Sequence, residues 1–218
     1  MADPGRIGGD AIARLRLIRT AQVGPVTYAQ LIARFGSADA AIAALPQLAA
    51  RGGGKSSSVA PVALVERELA TVHRLGARYL FLGEPDYPDL LAQLDDAPPA
   101  LIVRGDTGLL ARTPIAMVGA RNASAAACRF ARQLAAELGR ERVVVVSGLA
   151  RGVDTAAHVG SIDTGTIGVI AGGINVVYPP ENANLQDRIA REGLLIEFVQ
   201  LAGIDRPARD RAGIQPLQ

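Results

Sequence analysis

Three glycine-rich loops carry the residues of this sequence whose types and spacing could do chemistry. The first loop, GARNAS, lies between a predicted strand and a predicted helix and contains Gly119, Arg121 and Asn122. A glycine permits a tight turn, a helix N-terminus offers unpaired N–H groups, and an arginine adds a fixed positive charge. The chemistry that this loop favours is the binding of an anion such as a phosphate. An ordinary turn with a solvated arginine is the alternative.

The second loop, SGLARGVD, follows the most apolar of the predicted strands. The backbone N–H groups around Ser147, Gly148 and Gly152 can form a nest for a phosphate, and Arg151 adds a positive charge. Asp154 ends the loop, and we predict that it is the N-cap of the helix that follows. This loop therefore also predicts phosphate binding.

The third loop, AGGIN, contains Gly172 and Gly173, which can bring the backbone close to a ligand. It leads to Tyr178, which could stack on a base or pack as an ordinary loop aromatic. Because ligands of parallel sheets bind at the carboxyl ends of the strands, we expect the three loops to contribute to one phosphate-binding site.

The motifs of common enzymes are absent from the sequence. It contains no G-x-G-x-x-G, no G-x-x-x-x-G-K-[ST], no G-x-S-x-G and no H-E-x-x-H motif. His158 has no second histidine near it in the sequence, so we expect it to pack or to form a hydrogen bond rather than to catalyse. Cys128 is the single cysteine, which excludes an internal disulfide and opposes a thiolate zinc site. We predict a binding protein without catalytic residues, cofactor or metal.

The order of elements predicts an α/β fold. Residues 11–50 have apolar residues at helical spacing, with Thr27 as the predicted N-cap of a second helix. Strands and helices then alternate, which predicts a doubly wound parallel sheet. The predicted strands are 78–82, 100–104, 115–119, 143–146, 166–170 and 194–198, and the predicted helices are 62–75, 124–138, a short one after 154, and 185–191.

Composition divides the chain into three regions. Residues 1–58 form a predicted helical domain that ends in the linker RGGGKSSS, residues 59–198 form the predicted core, and residues 199–218 form a tail without a clear strand. Hydrophobic residues make up 49% of the chain and charged residues 20%, which is typical of a protein with a packed core. Lys55 is the only lysine. We expect a cytoplasmic protein, because no stretch is typical of a signal peptide or a membrane-spanning helix.

Five segments of the chain, in order and spacing, resemble the DNA-processing protein A family, also called DprA or Smf. They are GEPDYPDLL (83–91), PPALIVRGD (98–106), IAMVGAR (115–121), SGLARGVDTAAH (147–158) and VVYPPEN (176–182). Residues 11–50 resemble the small helical domain, of sterile-alpha-motif or helix-hairpin-helix type, that often precedes the family's core.

The resemblance implies an extended Rossmann-like core that binds single-stranded DNA. Members of the family protect incoming DNA during natural transformation, help to load the RecA recombinase, act as dimers and are not established enzymes. By position, Arg121 corresponds to the family's DNA-contacting arginine, and Gly148 and Gly152 correspond to its phosphate-binding loop.

The chain departs from the family pattern after Phe198, where an F-P-x-R-N-R-type motif is expected and is absent. From this we expect a truncated core with exposed strand edges and reduced stability. Two other functions remain open. One is a nucleotide-processing enzyme of a related Rossmann-like fold, such as a nucleotide N-glycosidase, whose P-G-G-x-G-T loop is matched only in part by AGGI (171–174). The other is a truncated product with little activity.

Overall fold

A computed structural model of the protein describes residues 8–51 and 58–199. The described residues form two compact units. The first unit contains residues 8–51, 58–74, 90–99 and 199, and the second contains residues 75–89 and 100–198. The greater part of the predicted linker, residues 52–57, and nearly all of the predicted tail, residues 200–218, lie outside the described residues.

The first unit is built from helices. Its long helices are α1 (Gly9–Ile18), α2 (Pro25–Phe35), α3 (Ala38–Arg51) and α4 (Val62–Arg74). Leu15, Leu17 and Ile18 of α1 are fully buried in it, and Arg19, directly after α1, forms an ion pair with Glu68 of α4. The small helical domain predicted before the core is therefore present.

Helix α2 begins earlier than the sequence predicted. Its first residue is Pro25 and Gly24 occupies the N-cap position, so the prediction that Thr27 caps this helix is wrong. Proline is well suited to the first helical position, because its missing N–H would have no partner inside the helix and its φ is already helical.

The second unit contains a six-stranded sheet in the order β1-β2-β6-β5-β4-β3. The strands are β1 (Arg78–Phe81), β2 (Ala100–Gly105), β3 (Pro114–Ala116), β4 (Val144–Ser147), β5 (Thr166–Ile170) and β6 (Leu194–Phe198). Strands β3 to β6 are parallel, which confirms the predicted Rossmann-like α/β fold, whereas β2 is antiparallel to both β1 and β6. The parallel strands follow one another in a single direction across the sheet. The doubly wound order that we predicted, which requires a reversal, is therefore not found in the described part of the chain.

Four further helices are α5 (Asp89–Ala92), α6 (Ala125–Arg140), α7 (Val153–Ser161) and α8 (Ala183–Glu192). Ser124 caps α6, because its Oγ accepts a hydrogen bond from the N–H of Ala127 at 3.2 Å. Helices α6 and α7 pack so closely that a Cβ on Gly160 would lie 2.2 Å from the carbonyl oxygen of Arg132. The core beneath α6 and α7 includes the buried Met117, Ala131, Ala135, Val145 and Ala157.

Two apolar parts of the second unit are exposed. Phe130 of α6 is 68% exposed. The strand predicted at residues 115–119 is shorter than expected and exposed at all three positions of β3, because β3 lies at the edge of the sheet. Ile115 is 40% exposed and Val118 is 80% exposed.

Candidate functional site

The first two glycine-rich loops and the segment that follows the third meet around a small pocket of about 160 Å³ at the carboxyl ends of the parallel strands. Each loop, or the segment it leads into, contributes two residues to the wall. The lining residues are Arg121 and Asn122 from the first loop, Ala150 and Arg151 from the second, and Tyr178 and Pro179 after the third. The parallel strands thus bring residues that are far apart in sequence to one edge of the sheet, where ligands of such folds bind.

Arg121 and Asn122 are exposed at this pocket, directly before the α6 cap Ser124. Arg121 forms no hydrogen bond or ion pair with another described residue. Its guanidinium therefore keeps its donors available for an anion, and the nearby N-terminus of α6 adds a favourable electrostatic contribution.

Gly152 fixes the position of the first loop relative to the second. Its φ is +76°, and a Cβ there would lie 2.2 Å from the carbonyl oxygen of Ala120 and 2.7 Å from that of Arg121. The N–H of Val153 donates to the same Ala120 oxygen at 3.3 Å. Gly119 packs against the side chain of Val153, because a Cβ on Gly119 would lie only 2.6 Å from that side chain. The two glycines let the loops come into contact, and Gly152 thereby positions Arg121.

Two side chains of the second loop, those of Ser147 and Asp154, form hydrogen bonds with backbone groups of the protein. Ser147 is buried, and its hydroxyl donates to the carbonyl oxygen of Met117 at 2.7 Å, which ties β4 to the end of β3. Asp154 is not the N-cap of α7 as predicted, because the helix begins at Val153 and Gly152 occupies the cap position. The Asp154 carboxylate instead accepts a hydrogen bond from the N–H of Ala150 at 3.3 Å and lies near the exposed Gly148. It therefore stabilises the second loop from within.

Arg151 pairs with Glu181 through a contact of 2.6 Å between Nη2 and Oε1, and about 60% of each side chain is exposed. The neighbouring Asn182 is buried, and its Nδ2 donates to the carbonyl oxygen of Leu149 at 2.8 Å and to the hydroxyl of Thr155 at 2.9 Å. Sequence reasoning missed both Glu181 and Asn182 as site residues. Their presence in the segment VVYPPEN was the signal that could have indicated them.

The glycines of the third loop shape a turn and do not line the pocket. The carbonyl of Gly173 accepts a hydrogen bond from the N–H of Val176 at 2.7 Å, and a Cβ on Gly172 would lie 3.2 Å from the Val176 side chain. The turn leads the chain to Tyr178, which is 54% exposed and lines the pocket. The contribution of this loop to the pocket is therefore its aromatic ring.

His158 is fully buried beside the site and does not line the pocket. The hydroxyl of Thr166 donates to the carbonyl oxygen of Val145 at 3.0 Å, so it accepts from His158 Nδ1, which lies 2.8 Å away. Burial lowers the pKa of His158 from 6.5 to about 4, against a smaller upward effect of the Ser147 backbone. The neutral ring is a buried hydrogen-bonding residue, as we expected.

Within residues 8–51 and 58–199, no cluster of three histidine, cysteine or acidic residues is placed to hold a metal ion. Among the helices described, none has the length and apolar character needed to cross a membrane.

The fold and the pocket define a class of protein: an α/β chain with a helical N-terminal unit and an arginine-lined pocket at the ends of parallel strands. A family model described as DNA recombination-mediator protein A matches residues 78–207. A second model, described as the DprA-like N-terminal HHH domain, matches residues 9–71. The chain belongs to the DNA-processing protein A (DprA/Smf) family, so the resemblance is confirmed. The first match extends into the segment that we predicted to diverge.

Two curated relatives are both called DNA processing protein DprA. The protein from Bacillus subtilis is 38% identical over 133 residues, which cover 60% of this chain and 45% of the relative. The protein from Streptococcus pneumoniae is 39% identical over 112 residues, which cover 50% of this chain and 39% of the relative. The chain thus spans less than half the length of these relatives.

Two solved structures are similar to this one. DNA processing protein A from Streptococcus pneumoniae has a TM-score of 0.61 at 24% identity, covering 93% of this chain and 67% of that one, and it supports the fold. A structure described as giving insights into the unique single-stranded DNA binding mode of DNA processing protein A from Helicobacter pylori has a TM-score of 0.51 at 29% identity. That similarity covers 62% of this chain and 60% of that one.

Proposed function

We propose that this chain binds single-stranded DNA at the pocket formed by the three loops and acts as a recombination mediator, not as an enzyme. The observation that carries the proposal is that Arg121 and Arg151, from loops after two different parallel strands, line one pocket together with Tyr178. Two guanidinium groups suit the phosphates of a strand, and an exposed aromatic ring suits an unpaired base.

Two comparisons support this ligand. The chain belongs to a family described as DNA recombination-mediator proteins, and the similar Helicobacter pylori protein is described by its single-stranded DNA binding mode. We also propose, from family membership, that a RecA-type recombinase is a partner, that the chain forms a homodimer, and that it acts in DNA uptake in the cytoplasm.

The chemistry of the pocket supports binding rather than catalysis. Its described lining contains no carboxylate and no histidine. The nearby Glu181 carboxylate pairs with Arg151, and His158 is buried and neutral. A nucleotide N-glycosidase would need a general acid or base within reach of its substrate, so this arrangement favours the non-catalytic function.

Measuring affinity for single- and double-stranded oligonucleotides between 50 and 200 mM salt tests the proposal. We expect a preference for single strands, little dependence on sequence, and a steep loss of affinity with salt, because bound phosphates release counterions. Arg121→Ala should weaken binding by about 1–3 kcal/mol, as for a lost charge-assisted hydrogen bond. Its melting temperature should change little, because a solvated arginine contributes little to folding.

Arg140→Ala is the matched control, since Arg140 is an exposed arginine of α6 outside the pocket lining. It should bind like the unmodified chain. A flat salt response, a preference for duplex, or an Arg121→Ala variant that binds normally would contradict the proposal.

A further inference from the structure

We propose that the bound strand continues from the pocket into the groove between α6 and α7, where Arg129 and Arg132 hold two further phosphates. This inference rests on the proposed function, because it extends the DNA path beyond the same pocket. It assigns a role to two arginines that no sequence motif singled out.

The groove adjoins the pocket at Arg151. Its volume is about 460 Å³. Its walls include Cys128, Arg129 and Arg132 of α6, and Gly152, Thr155, Ala156 and Val159 at the start of α7. Arg151 lines both the groove and the pocket. A strand held at Arg151 in the pocket therefore has an open path along these two helices.

The charges of the groove suit a polyanion. Arg129 and Arg132 are exposed and three positions apart on α6, so they lie on the same helix face. Neither side chain forms a hydrogen bond or an ion pair with another described residue. Three arginines face one carboxylate in the described lining, that of Glu181, and this carboxylate already pairs with Arg151. The two α6 guanidinium groups thus keep their donors available for phosphates.

The walls of the groove are fixed in place. The close approach of Gly160 to the Arg132 carbonyl holds α6 against α7, and Asn182 bonds both to the second loop and to Thr155 of α7. Ala156 and Val159 add apolar surface between the charged walls. Grooves that bind single strands commonly hold the phosphates on basic side chains, as the arginines would here.

The first experiment compares thymidine oligonucleotides of about 4 and about 16 nucleotides, which span the site sizes of single-strand-binding modules. The variant is Arg129→Gln with Arg132→Gln. The controls are Arg140→Gln on the same helix, and Arg129→Lys with Arg132→Lys, which keeps both charges. The readout is affinity as a function of salt, with melting temperatures to confirm folding.

For the longer oligonucleotide, the double glutamine variant should lose about tenfold in affinity at 50 mM salt, and its salt slope should become shallower by about 1.4, from 0.7 for each lost phosphate. Its affinity should therefore fall about sevenfold less than that of the unmodified chain between 50 and 200 mM salt. Affinity for the shorter oligonucleotide should be unchanged. The lysine variant should keep the original slope, because the slope depends on charge.

A second readout uses Cys128, the single cysteine of the chain, which is partly exposed in the groove. The longer oligonucleotide should slow alkylation of Cys128 by iodoacetamide, and the shorter one should not. Protection should be lost in the double glutamine variant at oligonucleotide concentrations where the pocket is still occupied.

The outcomes separate this inference from the proposed function. If the unmodified chain binds neither oligonucleotide, the proposed function itself is wrong. If Arg121→Ala weakens binding but the double glutamine variant keeps the original affinity, salt slope and Cys128 protection, the pocket binds DNA and the groove does not. Protection of Cys128 by the shorter oligonucleotide alone would also overturn the proposed path.

Discussion

His158 is a residue whose burial sets both its charge and the response of the protein to acid. The ring donates to Thr166 and is fully buried, and its pKa is lowered from 6.5 to about 4. Between these two values the unfolded chain binds more protons than the folded chain, so stability falls as the pH falls through this window. We expect His158 to account for a loss of about 2 kcal/mol between pH 7 and pH 5.

Urea unfolding at pH 7 and pH 5 measures this loss. His158→Gln removes the titrating group and should show a smaller loss between the two pH values, whatever its stability at pH 7. His73→Gln, at the exposed histidine of α4, is the control and should behave like the unmodified chain. Equal losses in all three proteins would show that another group causes the acid sensitivity.

Strand β3 is the element whose surroundings differ most from expectation. In the described residues it pairs with β4 alone, and Ile115 and Val118 expose apolar surface beside its open backbone edge. Exposed edges of this kind promote association between copies. Val118→Lys should therefore reduce concentration-dependent light scattering, while stability should stay within about 0.5 kcal/mol, because the side chain is already exposed.

Phe130→Lys is the matched comparison, since Phe130 is another exposed apolar residue but lies on a helix. If both substitutions reduce scattering equally, general surface hydrophobicity drives association, and the edge of β3 has no special part in it.

The elements also show where sequence reasoning succeeds. Strands β5 and β6 begin and end as predicted, because each is a short apolar run that begins directly after a glycine. The edge position of β3 could not be predicted, since the sequence pattern of an apolar strand is the same at the edge and at the centre of a sheet. The antiparallel pairing of β1 and β2 depends on contacts between distant residues, which local pattern does not contain.

The candidate site was also predictable from the sequence only in part. The convergence of the three loops was predictable, because the carboxyl ends of parallel strands meet at one edge of the sheet. The pairing of Arg151 with Glu181 was not, because 30 positions separate the two residues and only the fold brings them together. The cap of α7 was misplaced by two residues, since Asp154 and Gly152 are both common at helix starts.

At the scale of the whole molecule, the boundary between the two parts of the chain can be tested. The sequence division at residues 58 and 59 places α4 with the core, whereas in the structure α4 belongs to the first unit, where Glu68 pairs with Arg19. All residues that line the pocket and the groove lie in the second unit. We therefore propose a functional boundary near residue 75.

Two fragments distinguish the two boundaries. Residues 75–218 should fold and keep the salt dependence of DNA binding. Residues 59–218 should bind equally well but associate more, because Val65 and Val72 of α4 lose the unit in which they are buried. Light scattering and DNA titrations on both fragments provide the measurements. Loss of binding in the shorter fragment only would place α4 with the core.

The contact between Gly152 and the first loop has a consequence for anyone who redesigns this pocket. A library that varies Arg121 and its neighbours must leave residue 152 as glycine, because any side chain there would collide with the backbone of Ala120. A graft of either loop from a relative must bring the matching partner loop with it. Tyr178 lines the pocket but lies outside this pair, so it can be varied without disturbing the contact between the two loops.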